Sequence, residues 1–145
     1  MTAWRTWRTW RGAAATLAVS SGVVLAGCGG GSGSSLNLEG LKIPKSQVVN
    51  AVSQMCTVAK QSHTDPSSAN NAFYGGPHDS MHLLAAVLAP NHKGESNNLL
   101  SVMVNYETDI GKTPPPPTTG ADADALLKAA QEGLTALKIP VPPCS

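Results

Sequence analysis

Apolar residues recur along the chain with the spacing of helices. From Ser46 to Ser62, Val48, Val52, Met55 and Ala59 follow one another at steps of four, three and four, with Val49 and Cys56 widening the stripe; this predicts a first helix over residues 46–62. His63, Asp65, Pro66 and Ser67 break it, and Pro66 suits the start of a short helical turn carrying Ala69, Ala72 and Phe73. Gly75 and Gly76 interrupt the chain again. Pro77 then fits a first helical position, and Asp79 places negative charge in the first turn, where the helix dipole favours it. Met81, Leu84, Ala85 and Leu88 share one face of this second helix, Leu83 and Val87 extend it, and Pro90 ends it. A third helix over residues 95–110 presents Leu99, Met103, Tyr106 and Ile110 and stops at Gly111. A fourth, over residues 121–137, carries Asp122 and Asp124 in its first turn and Leu127, Ala130, Leu134 and Leu137 along one side.

Between the third and fourth helices lies a proline-rich connector, residues 113–120, in which positions 114–117 are all proline and read as a stiff polyproline segment. Pro44 bars a helix across Leu41, Lys42 and Ile43, and no strand alternation stands out anywhere. The pattern therefore predicts an all-α fold: a small bundle of about four helices over residues 44–145, antiparallel where connections are short. The tetrapeptide Leu, Lys, Ile, Pro occurs at 41–44 and again at 137–140, but the flanking residues do not correspond, so coincidence or a matched pair of chain-end contacts accounts for it better than a repeat.

The amino terminus follows a different rule. Arg5, Arg8 and Arg11 alternate with Trp4, Trp7 and Trp10, and no acidic residue precedes Glu39. An apolar run over residues 13–26 follows, shorter than the roughly 20 residues a bilayer span needs, which is the order of a signal peptide (residues 1–27). The arginines are never adjacent, against twin-arginine export. Leu25, Ala26, Gly27 and Cys28 resemble the bacterial lipobox, and the stretch up to Ser35, with its Arg-rich start, Ala-rich core and Gly/Ser sequel, is similar to actinobacterial lipoprotein precursors. The resemblance covers about a quarter of the chain. It implies diacylglycerol on the Cys28 thiol, cleavage before Cys28, and anchoring to the extracytoplasmic face of the cell membrane, with residues 28–43 as a flexible tether. Beyond the tether the chain resembles no characterised family.

Composition narrows the function. The chain has 145 residues, 41% hydrophobic and 13% charged, enough for one globular domain. From Cys28 onward seven lysines face nine carboxylates, a formal −2, and the aromatics reduce to Phe73, Tyr74 and Tyr106. With neither a basic cluster nor a base-stacking surface, nucleic acid is excluded as a partner. The membrane, through the anchor, and an envelope protein or cell-wall component are the partners this composition and export route imply. Once Cys28 is lipidated, Cys56 and Cys144 remain in a compartment that permits oxidation, and a disulfide between them would span 88 positions; the alternative is a buried Cys56 thiol and a free Cys144.

One constellation has metal chemistry. His78 and His82 stand four residues apart, so on a helix they emerge from neighbouring turns of one face and can chelate a transition metal, or ligate haem, with help from His63, His92, Glu107, Asp109 or Glu132. No spacing selects among those five. The other reading of the pair is one histidine hydrogen-bonded at the helix start and one solvated. The run His78, Asp79, Ser80, Met81, His82 is related to the zinc peptidase pattern, but Asp79 stands where that pattern has Glu, and no third-ligand motif follows. Nucleophile elbows and phosphate-binding glycine loops are missing from the sequence. The expectation is thus a non-enzymatic, membrane-anchored binding or envelope-interaction module, with a metal- or haem-binding lipoprotein as the alternative.

Overall fold

The computed structural model describes residues 35–145, so the expected signal peptide, Cys28 and the first part of the tether lie outside the described residues. Within that range the protein is all-α, as the periodicity predicts, with one small hairpin. The order is β1 (Ser35–Leu38), β2 (Leu41–Pro44), α1 (Lys45–Ser62), α2 (Pro66–Tyr74), α3 (His78–Leu88), α4 (Lys93–Ile110) and α5 (Thr119–Ala136).

The hairpin corrects two expectations, that the tether runs to residue 43 and that the chain holds no strand. β1 and β2 pair antiparallel with Leu36 opposite Ile43 and Leu38 opposite Leu41. Glu39 and Gly40 form the two-residue turn, both at positive φ (45° and 86°), the handedness that matches the twist of a two-stranded ribbon. Gly40 adopts this backbone at little cost. Leu36 and Ile43 point into the core, and β1 packs against α3 and β2 against α1. A tether would leave both side chains in water; here their burial holds the segment down.

α1 buries Val48, Ala51, Val52, Met55, Val58 and Ala59 on one stripe. α2 is a full helix and not only a turn: Asp65 caps it, its carboxylate accepting from the Ser68 N–H (3.1 Å) and Ser68 hydroxyl (2.5 Å), while Pro66 occupies the first turn, where its missing N–H has no consequence. The cap lowers the Asp65 pKa, because the hydrogen bonds from Ser68 favour the carboxylate.

α5 packs against α4, α1 and α3. Its buried face runs through Ala123, Leu126, Ala129, Ala130, Gly133 and Leu134. The predicted stripe is rotated from this: Leu126 is in the core, whereas Leu127 and Leu137 are only half-buried against it. Small residues explain the rotation. Leu88 approaches so closely at Gly133 that a Cβ there would lie 2.9 Å from its Cδ1, so this side of α5 must face α3. α5 also begins earlier than expected, taking Thr119 and Gly120 from the connector; the Thr119 amide and hydroxyl both donate to the Pro116 carbonyl (3.1 and 2.7 Å).

The two Leu-Lys-Ile-Pro segments adopt unrelated backbones. The first is β2. The second terminates α5, with Lys138 left-handed (φ 56°), its N–H donating to Thr135 O and that of Ile139 to Leu134 O, both at 2.9 Å. This is the paired-bond helix stop in which an apolar residue just past the end folds back; Ile139 is buried accordingly, and Pro140 prevents continuation. Past it, Cys144 is bonded to Cys56 of α1 with their Cα atoms 5.4 Å apart, joining positions 88 apart in sequence. In the chain-entropy picture a closed loop of that length stabilises by roughly 4 kcal/mol, and here it ties the proline-rich end to the bundle. No helix of the described residues is long and apolar enough to cross a membrane.

Candidate metal centre

α3 and α4 are joined by a short turn and run antiparallel, a register visible in two contacts. Near the turn the Ser96 hydroxyl donates to the Ala85 carbonyl (2.8 Å), and three helical turns away His78 meets Glu107. The buried stripe of α4, Leu99, Met103, Tyr106 and Ile110, leaves Glu107 on the flank that faces α3. His78 opens α3 and His82 lies one turn on, so both imidazoles reach toward that carboxylate.

His78 Nε2 lies 3.0 Å from Glu107 Oε1, and His82 Nε2 lies 3.9 Å from the same oxygen. One ligand atom from each of the three residues falls within 4.8 Å of the others. The edge of a zinc tetrahedron with bonds of 2.0–2.1 Å is about 3.4 Å, so the two imidazole–carboxylate separations lie within about half an ångström of it, while the third pair of donors, within 4.8 Å, closes on an ion by a turn of the exposed His82 ring. Asp79 completes the arrangement from behind, its Oδ1 2.9 Å from His78 Nδ1. Both ring nitrogens of His78 thus face a carboxylate; with an ion bound at Nε2, Asp79 would accept the Nδ1–H, the usual outer support of a metal-bound histidine.

An aromatic wall backs the cluster. The Phe73 ring meets that of His78 edge-on (5.3 Å between centroids, 84° between planes) and that of Tyr106 in the same manner (5.0 Å, 86°). Tyr106 is buried, with its hydroxyl 2.9 Å from Ser62 Oγ, which in turn donates to the Val58 carbonyl. Burial pushes the Tyr106 phenol up to about 12, keeping it neutral. Tyr74, half-exposed, rests 4.9 Å from the His78 ring; burial and the nearby Glu107 charge raise its pKa as well. His78 is therefore held on two sides, whereas the His82 side chain is 49% exposed.

Of the five helpers named from sequence, Glu107 alone joins the pair. His63 bonds Asp124 (2.9 Å) where α1 ends beside the start of α5. His92 precedes α4, and Glu132 lies 3.9 Å from Lys128. Asp109 accepts from Lys112 Nζ (2.6 Å) and the Thr118 hydroxyl, bonds that depress its pKa to about 2; burial and the neighbouring Asp109 raise that of Asp122. These last carboxylates line a cleft of about 330 Å³ with Asn105 and Thr108. A second cleft, about 360 Å³, lies between α1 and α2 and is lined by Gln54, Thr57 and Asn71 among others.

Haem fits the pair less well than an ion. Two axial imidazoles must approach iron from opposite faces of the macrocycle, and the His78 and His82 rings touch at 4.8 Å on the same helix face. Comparison with known proteins adds no assignment, since no family model, no curated protein and no solved structure matches the chain.

Proposed function

We propose that the protein is an exported lipoprotein, held at the extracytoplasmic face of the cell membrane by lipid on Cys28, whose helical domain binds a divalent transition-metal ion through His78, His82 and Glu107. The anchor rests on the order of charged segment, apolar run, Leu25-Ala26-Gly27-Cys28 and Gly/Ser sequel. The metal reading is carried by one observation, the convergence of three ligand atoms from two helices within 4.8 Å. Two imidazoles and one carboxylate suit zinc, cobalt, nickel, copper or ferrous iron better than magnesium or calcium, which prefer all-oxygen sites. We assign no catalytic role. The protein acts by holding the ion at the membrane surface, where an envelope protein or cell-wall component would meet it.

Thermal unfolding of the full chain with and without added zinc tests the metal site. A ligand bound only by the native state stabilises by about 2.7 kcal/mol at one hundred times its dissociation constant, and the midpoint of unfolding rises with it. The rise should vanish in the His78→Ala, His82→Ala double variant. A wild-type midpoint indifferent to zinc, cobalt, nickel, copper and ferrous iron alike would reject the reading.

A further inference from the structure

Resting on that reading, we infer that the ion keeps one coordination position for an exchangeable small anion. The donor set is short by at least one. Among the described residues His78, His82 and Glu107 form the cluster of His, Cys, Asp and Glu ligand atoms that converge, and four-coordinate zinc or cobalt needs another. Asp79 cannot supply it. Its Oδ1 is engaged with His78 Nδ1, on the opposite edge of the imidazole from the Nε2 that faces Glu107, so Asp79 orients the ring without reaching the ion.

The position that remains faces water. The three donors come from two neighbouring helices, His78 and His82 from α3 and Glu107 from α4, and Phe73, itself packed on Tyr106, backs His78 on the protein side. His82, with about half of its side chain exposed, forms the outer edge. A closed structural site encloses its ion with four protein ligands; three with an exposed edge is the arrangement that leaves room for a water or an incoming ligand. Charge selects the kind of ligand. Two neutral imidazoles and one carboxylate leave a divalent ion with one net positive charge, which favours a small anion, such as a carboxylate or an oxyanion, over a neutral molecule. The half-exposed phenol of Tyr74, whose ring lies 4.9 Å from that of His78 at a tilt of 48°, is the protein competitor that the test must separate from an added anion.

Cobalt reports both events. The untagged full chain titrated with cobalt(II) should develop visible absorption that saturates at one equivalent, and subsequent azide should shift those bands saturably, in the wild type and in Tyr74→Phe alike. Bands that azide leaves unchanged in both proteins would overturn the inference while sparing the metal site. A response in Tyr74→Phe alone would also overturn it, placing the phenol in the fourth position. If cobalt produces no bands at all, the metal reading fails and the open position with it.

Discussion

At the residue scale, the clearest local contact is the cap that opens α2. Asp65 takes both donors of Ser68, and that pairing depresses its pKa below the ordinary 3.8. A carboxylate whose folded pKa lies below its unfolded value contributes stability that is present above the unfolded pKa and lost as the pH falls through the folded one. Asp65→Asn keeps a capping side chain but removes the titration, so its acid unfolding should begin less steeply than that of the wild type as the pH falls below the ordinary carboxylate range. Circular dichroism across an acid titration of both proteins checks this, and parallel curves would contradict it. The Asp65, Pro66, Ser67 sequence announces a helix start; that Ser68 supplies both donors depends on the local backbone.

Elements were legible in proportion to their length and the clarity of their stripes. Val48, Val52, Met55 and Ala59 mark α1, and Leu99, Met103, Tyr106 and Ile110 mark α4, because each set repeats over about three turns and all eight side chains are buried. The hairpin was not legible, since strands of four residues offer too few alternations and its Glu39-Gly40 turn is short of the stronger Asn-Gly or Asp-Gly signal. The face of α5 was ambiguous at the doublet Leu126, Leu127: the stripe permits either, and the close approach of Leu88 at Gly133 decides. If the hairpin belongs to the core, Ile43→Ala should cost about 2–4 kcal/mol in denaturant unfolding, the range for truncating a buried isoleucine. A cost near zero would restore the tether to residue 43.

For the whole molecule, pairing of elements is what sequence could not supply. His78 and His82 are visible as a pair because one helix carries both, but Glu107 is reached only by folding α4 back along α3, and its four rivals are equally plausible until that register is known. The antiparallel turn near Pro90 offered a partial signal, since folding there brings residues near 107 opposite those near 78. The Cys56–Cys144 bond differs: counting cysteines already offered it against a pair of free thiols, and the fold brings the two residues together. Anchoring also belongs to this scale. Cys28→Ser should move the protein from the membrane fraction to the soluble extracytoplasmic fraction, and continued sedimentation with membranes would refute the lipid anchor.

The central claim is that three side chains from two helices form one metal site. Equilibrium dialysis of the untagged full chain against zinc, followed by elemental analysis, tests it most directly beside the His78→Ala and Glu107→Gln variants. One zinc per wild-type chain, with at least tenfold weaker binding in each variant, is the predicted result. Wild-type binding that survives both substitutions, or no zinc in any of the three proteins, would contradict the account.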